Sequence, residues 1–296
     1  MRRFHSYGPV DCEEHFCISR QELVDLCMEQ LIGNPLKGGH YFTIWGPRQS
    51  GKTWLMREVK QQIVQDYGEQ FTVFNFSFGN LRGMGETIIT QFNKIDLPEP
   101  FSGILKNALP GKPDVNNWED FVALFAREGG LWDRPLILLI DEADTAPPIL
   151  LDWIVGRFRE MYLERETNWL HGLALIGVRA VLGIESKRGS PFNIQRSLHV
   201  PNFTQDEVKT LFQQYQDESG QAIDPAVVEA VYHGTNGQPG LVGWFGELLS
   251  ETYNLDKSKP IGKEVWELVW LIGLNSNQRW LHAVDSLIEL LPVEGT

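Results

Sequence analysis

One segment of the chain has the residue types and spacing that hold phosphate groups: Gly46-Pro47-Arg48-Gln49-Ser50-Gly51-Lys52-Thr53. It fits the pattern G-x-x-x-x-G-K-[ST], in which a glycine-bearing loop turns successive backbone N–H groups toward the phosphates. Lys52 would contact the β- and γ-phosphates, and the Thr53 hydroxyl would ligate Mg²⁺. The segment predicts a binding site for ATP and Mg²⁺.

A second segment supplies acidic groups. The apolar run at 136–140 is followed by Asp141 and Glu142. At the carboxyl end of a buried strand, where ligands of open α/β sheets bind, Asp141 would hold the Mg²⁺ and Glu142 would orient and deprotonate an attacking water. Acids also cap helices, so this run alone is a weak signal. Together with the phosphate loop, it predicts hydrolysis of the γ-phosphate.

Buried strands separated by helices would position these two segments. Apolar, β-branched and aromatic runs predict strands at 41–46, 71–76, 136–140, 173–178 and 197–200. Helical patterns occupy 52–66, 84–94, 117–127 and 148–165, and a proline- and glycine-rich stretch predicts a loop at 97–113. This alternation predicts an α/β fold with a five-stranded parallel sheet between helices.

After residue 200 the pattern is helical only. Thr204 and Glu207 form a capping-box signature that opens a helix to about 216, and further helices are predicted at 224–233 and 239–253. We therefore expect a core at 41–200 and a helical lid at 201–254. Residues 1–40 would form an N-terminal segment, and 255–296 a helical tail broken near 273–277.

These residues resemble a family. The loop at 46–53 and the run at 136–142 are similar to the Walker A and Walker B motifs of AAA+ ATPases, and further segments resemble the STAND branch and related prokaryotic AAA-like ATPases. The resemblance spans about residues 4 to 254. It includes an upstream segment at 16–23, a strand end at 176–179, and a lid motif at 237–239. The tail at 255–296 could form part of the winged helix that often follows in such families, although its 42 residues are few for one.

The resemblance implies roles for particular residues. The implied catalytic residues are Lys52, Glu142 and Arg179, with Arg179 as sensor 1 at the γ-phosphate, and the implied metal ligands are Thr53 and Asp141. The implied nucleotide contacts are Gly46, Pro47, Arg48, Gln49, Ser50, Gly51, Lys52, Thr53, Trp54, Arg20 near the adenine, and Pro239 of the lid.

The sequence also departs from the family pattern. Ser19 stands where a glycine is usual, and no lysine or arginine lies between Pro239 and Lys257. The helix after Pro239 therefore lacks the basic sensor 2 residue of many ring-forming motors. Each carried-over residue has a plainer alternative as well: Arg179 as a surface arginine, and Pro239 as a simple helix start.

Composition limits the class of protein. The net charge of −13 argues against broad, sequence-independent binding of nucleic acid. Binding through a local basic patch is still compatible with this charge. No apolar run is long enough for a membrane span and no secretory signal follows Met1, so we expect a cytoplasmic protein. The three cysteines are too few for a disulfide framework and are expected to be buried small hydrophobes, with a zinc site as the lesser alternative.

Three functions remain open at this stage. The first is a slow ATPase that acts as a nucleotide-gated assembly or signalling switch, with ATP and ADP as ligands and a homo-oligomer or a separate effector as partner. The second is a DNA-associated AAA+ regulator or motor of the transposition type. The third is a module that binds nucleotide with little turnover. The intact Glu142 disfavours the third, and the negative charge mildly disfavours the second.

Overall fold

The architecture is an α/β fold built on one parallel sheet, seen in a computed structural model that describes residues 1–82, 95–177, 197–254 and 256–275. Its strands are β1 (Tyr41–Trp45), β2 (Thr72–Ser77), β3 (Leu136–Asp141), β4 (Leu170–Gly177) and β5 (Ser197–His199). They lie in the order β2-β3-β4-β1-β5, and every pairing is parallel. The predicted five-stranded parallel sheet is confirmed.

Helices connect the strands and follow the sheet in the chain. They are α1 (Gln21–Ile32), α2 (Lys52–Tyr67), α3 (Glu99–Ala108), α4 (Trp118–Ala123), α5 (Pro148–Leu163), α6 (Gln205–Ser219), α7 (Pro225–Thr235), α8 (Pro239–Glu247) and α9 (Lys263–Asn275). A wider helical turn at Leu248–Thr252 continues α8. Within the described part of the chain, none of these helices has the length and apolar composition needed to cross a bilayer.

The chain divides into two compact units. The sheet unit comprises Gln21–Trp45 and Leu55–His199, and the helical unit comprises Met1–Arg20, Gly46–Trp54 and Val200–Thr296. In the sheet unit, residues 136–140 of β3 are at most 1% exposed. A strand covered on both faces reads as a continuous apolar run, which is why this stretch was recognisable in the sequence.

The helical unit has its own apolar core. The Phe4 ring lies 4.9 Å from that of Phe212, and both are buried together with Tyr215, Val231 and Phe245. The N-terminal segment thus packs into this unit. The Thr204 capping box is present: Glu207 N donates to Thr204 Oγ1 at 3.2 Å, and Thr204 N donates to Glu207 Oε2 at 2.7 Å.

The predicted loop at 97–113 is wrong in part, because it contains α3. Pro98 and Pro100 lie at the start of this helix, where a missing N–H costs no hydrogen bond. Phe101 and Leu105, four residues apart on one face, are 0% and 1% exposed. The prolines that indicated a loop therefore mark a helix start. The helix predicted at 84–94 lies outside the described residues, as does the second half of the tail.

The cysteine prediction is wrong for one pair. Cys12 and Cys17 are joined by a disulfide, with their Cα atoms 5.5 Å apart. A turn in which Glu14 N and His15 N both donate to Asp11 O reverses the chain between them. Cys27 is free and fully buried, as expected of a small hydrophobe. The described residues include no cluster of three or more His, Cys, Asp or Glu able to hold a metal ion.

Candidate nucleotide-binding site

The phosphate-loop segment connects β1 to α2. It leaves β1 after Trp45, at the carboxyl end of the strand, and Lys52 is the first residue of α2. Gln49 and Gly51 have φ values of 59° and 93°. Backbone in this left-handed region alternates with right-handed residues in the concave N–H arrangements that bind anions. The local conformation therefore suits the role that the sequence pattern predicts.

Lys52 and Ser50 turn their polar groups into this loop. Lys52 Nζ donates to Gly46 O at 2.7 Å and also to Pro47 O. Ser50 is 2% exposed, and its Oγ is a buried atom without a hydrogen-bond partner among the described residues. A buried hydroxyl without a partner costs free energy. Ser50 Oγ could therefore form a hydrogen bond with a ligand in the loop.

The lid motif lies against the loop within the helical unit. Gly237 has φ 67°, and a Cβ at this position would collide with the Phe203 carbonyl oxygen, so the turn requires glycine. Pro239 begins α8, where its fixed φ suits the first helical turn. Between them, Gln238 Nε2 donates to Arg48 O at 2.7 Å. The loop and the lid motif are thus in direct contact.

The acidic pair lies at the end of β3 in the sheet unit. Asp141 is the last residue of β3, and its Oδ1 accepts from Glu142 N at 2.8 Å. Glu142 has φ 51°, and its carboxylate accepts from Ser77 Oγ at 2.9 Å and from Arg82 Nη2 at 2.8 Å. Each carboxylate oxygen of Glu142 therefore accepts one side-chain hydrogen bond. Each also has a second lone pair, which a role as base would use for water.

Sequence reasoning missed Ser77 and Arg82. Ser77 ends β2 and pairs with Asp141 in the sheet register, which places its hydroxyl beside the acidic pair. The signal available in the sequence was a polar residue at the end of an apolar strand, but strand order was needed to read it. Arg82 follows a short helical turn and carried no distinguishing pattern.

Arg20 is buried within the helical unit. Its Nη1 donates to Pro201 O at 2.8 Å, its Nε lies 3.5 Å from Glu207 Oε1, and its guanidinium lies 4.7 Å from the Phe203 ring centre. Burial lowers the pKa of this guanidinium, and Glu207 opposes the shift. Nη2 is buried and has no partner within the described ranges. Arg20 connects the N-terminal segment to α6, and its role near the adenine stays a prediction.

The other predicted residues differ in how far they are exposed to solvent. Arg48 and Gln49 are exposed, Gly46, Pro47 and Ser50 are buried, and Gly51, Thr53 and Trp54 are half-buried in or beside the loop. Arg179 lies outside the described residues. The described part of β4 ends at Gly177.

The fold has counterparts among solved structures. The Orc1 protein of Aeropyrum pernix, solved in complex with DNA, is 13% identical over 94% of this chain and 70% of its own, with a TM-score of 0.54. A variant of RuvB from Thermotoga maritima is 14% identical over 86% of this chain and 70% of its own, with a TM-score of 0.51. No protein-family model and no curated protein matches the sequence. At these identities the likeness shows the fold alone, which is the α/β P-loop NTPase fold.

Proposed function

We propose that this chain binds ATP with Mg²⁺ at the loop Gly46–Thr53 and hydrolyses the bond between the β- and γ-phosphates. The observation that carries the proposal is the loop itself. It follows a parallel strand, has left-handed backbone at Gln49 and Gly51, and opens a helix whose first residue is Lys52. This combination brings backbone N–H groups, a helix N-terminus and a lysine to one anion.

The residues present fit a nucleotide phosphate. The buried Ser50 Oγ has no partner in the described part of the chain, and a Cβ built at Gly51 meets no atom within 4 Å. The loop therefore offers polar groups and open space where phosphate oxygens require both. Thr53 and Asp141 supply hydroxyl and carboxylate oxygens, the ligand types that Mg²⁺ prefers. When bound, Mg²⁺ would neutralise charge on the β- and γ-phosphates.

In the proposed reaction, a water attacks the γ-phosphorus, the bond to the bridging oxygen breaks, and ADP and phosphate leave. Glu142 takes the proton of the attacking water, and its ion pair with Arg82 weakens as the carboxylate loses its charge. Lys52 stabilises the charge that develops on the phosphate oxygens. Arg179 is proposed to assist at the γ-phosphate, as the resemblance to STAND ATPases implies.

We further propose that ATP gates an assembly or signalling switch in the cytoplasm, with a homo-oligomer or a separate effector as the partner. The contact between Gln238 and Arg48 O supports this proposal, because it joins the loop to the lid motif. Light-scattering mass of the Glu142→Gln variant without nucleotide, with ADP and with ATP tests it. We expect larger assemblies in ATP alone. An identical mass in all three conditions, with and without candidate partners, contradicts the switch.

A second candidate is a DNA-associated regulator. The observation in its favour is the structural likeness to an Orc1 solved with DNA. The net charge of −13 disfavours broad contact with phosphates. Fluorescence anisotropy with a labelled duplex, with and without ATP and at two salt concentrations, separates the two candidates. Salt-dependent binding supports the DNA role, and absence of binding at low salt removes it.

A further inference from the structure

A buried glutamine connects the phosphate loop to the helix that follows it in the lid motif. Gln238 is 2% exposed. Its Nε2 donates to Arg48 O at 2.7 Å, while its Oε1 accepts from Leu241 N in the first turn of α8. One amide therefore caps α8 and holds a backbone carbonyl of the loop. The bond to Leu241 N is buried and the bond to Arg48 O is partly buried. Losing the amide therefore leaves polar groups with poorer partners than they have now.

The loop makes a return contact with the same helix turn. A Cβ added at Gly240 would lie 2.7 Å from Gln49 Cβ and 3.0 Å from Gln49 Cδ. The side chain of Gln49 therefore lies directly on the backbone of Gly240, an approach that only glycine permits. We call these two interactions, Gln238 with Arg48 O and Gln49 with Gly240, the glutamine contact.

The contact fixes the orientation of one peptide group in the loop. In a planar trans peptide, the carbonyl oxygen and the following N–H point in opposite directions. Because Gln238 holds the carbonyl of Arg48, the N–H of Gln49 is directed away from Gln238. Loop N–H groups are the donors that such sites offer to phosphates. The orientation of this donor thus depends on a side chain of the lid motif.

No basic side chain of α8 offers an alternative link to a phosphate. Residues 239–247 read PGLVGWFGE and include neither lysine nor arginine. The helix therefore has no ammonium or guanidinium group with which to contact a phosphate. Among the described contacts, the hydrogen bond from Gln238 to the backbone of Arg48 connects α8 to the loop.

The N-terminal segment packs against the same helix, α8. A Cβ at Gly243 would meet the backbone at His5, 3.0 Å from the carbonyl carbon, and one at Gly246 would meet the Phe4 ring, 2.7 Å from Cε1. Together with Gly240, these glycines place the loop and the N-terminal segment along one helix. A change in the order of α8 therefore reaches Phe4 and His5.

We propose that Gln238 is a positioning residue that couples phosphate binding at the loop to the order of α8, with Gln49 as its counterpart. The inference rests on the proposed binding of ATP and goes beyond it by naming the element that responds. Coupling is reciprocal: if Gln238 orients the loop for phosphate, bound phosphate stabilises α8 by the same factor.

Gln238→Glu is the informative variant. An ionised carboxylate still accepts from Leu241 N and keeps the cap of α8, but it has no proton to donate to Arg48 O. Gln221→Glu is the matched control. Gln221 is a buried glutamine of the same unit, 5% exposed, whose amide donates to Lys259 O at 2.7 Å and Asn254 Oδ1 at 3.0 Å. None of its described hydrogen bonds involves the loop.

A second variant keeps the test decisive if Gln238→Glu does not fold. Gln49 is exposed, and asparagine tolerates its left-handed backbone, so Gln49→Asn shortens the side chain over Gly240 with little risk to folding. Hydrogen exchange of residues 239–247 and 4–6 is measured on the full chain without nucleotide, with Mg·ADP and with a non-hydrolysable Mg·ATP analogue. Binding of the analogue is measured separately by calorimetry, so that each protein is compared at saturation.

We expect the analogue to slow exchange in 239–247 of the parent and of Gln221→Glu by about fivefold or more, as ordinary coupling energies imply. In Gln238→Glu and Gln49→Asn the slowing falls below about twofold at saturation. Full slowing in both glutamine variants overturns the inference, and so does equal loss in Gln221→Glu. If the parent binds the analogue but α8 does not respond, only the inference fails. If the parent binds no nucleotide, the proposed function fails with it.

Discussion

The contact between Arg82 and Glu142 predicts that removing the arginine accelerates hydrolysis. Arg82 Nη2 lies 2.8 Å from Glu142 Oε1, and Ser77 Oγ holds the other oxygen at 2.9 Å. If Glu142 is the base, it loses its negative charge when it takes the proton of the water, and its ion pair with Arg82 weakens in that step. Arg82→Ala removes this cost and leaves Ser77 in place. The reaction therefore proceeds without weakening an ion pair.

The exposure of the pair sets the size of the effect. The side chains of Arg82 and Glu142 are 62% and 42% exposed. Ion pairs this exposed contribute about 0.2–1 kcal/mol, because water and salt screen them. The barrier falls by no more than this amount, so kcat should rise by about 1.4- to 5-fold. The affinity for ATP should change by less than about twofold, because no phosphate contact is removed.

Phosphate release at saturating Mg·ATP measures this change. Arg134→Ala is the control, since Arg134 is another exposed arginine of the sheet unit, paired with Asp133 at 3.1 Å. Its rate should equal that of the parent. A tenfold or larger fall in kcat for Arg82→Ala refutes the reasoning, because it means that Arg82 assists the reaction instead of competing for its base.

Three further predictions concern the base, the lid turn and a buried histidine. Glu142→Gln keeps the side-chain shape but cannot accept a proton, so phosphate release should fall by about 100-fold or more while calorimetry shows ATP binding retained. Gly237→Ala should lower the free energy of unfolding in denaturant by about 2 kcal/mol or more, because its Cβ would collide with Phe203 O at a φ of 67°; a change below 0.5 kcal/mol, an ordinary surface effect of about that size, contradicts it. Burial lowers the pKa of His171 from 6.5, so the unfolded state binds the proton first and stability falls as pH drops below that value. His171→Gln, which keeps a donor for Ile32 O, should weaken this pH dependence, and an unchanged slope argues against it.

Local patterns in the sequence were sufficient for the sheet and the loop. The run at 136–140 is apolar because β3 is covered on both faces, and the glycines at 46 and 51 follow from the geometry of the loop. Helix α3 was missed because its prolines stand at positions that a helix start tolerates. The spacing of Thr204 and Glu207, three residues apart, was likewise enough to predict the capping box.

Contacts between distant residues could not be predicted. Glu142 binds Ser77 and Arg82, which are 65 and 60 residues earlier, and Gln238 binds Arg48 across 190 residues. These contacts depend on strand order and on how the lid motif packs, which no local pattern encodes. The Cys12–Cys17 pair is close in sequence, but its geometry depends on the turn at Asp11, which was not recognised.

The most direct test of ATP binding at the loop is titration calorimetry of Mg·ATP into the parent and into Lys52→Ala. Lys52 is half-buried at the start of α2, outside both apolar cores, so the variant should unfold at the parent's denaturant midpoint. We predict that it binds ATP at least about thirtyfold more weakly, the loss expected when about 2 kcal/mol or more of charge-assisted contact is removed. Equal affinity in the two folded proteins would contradict the account.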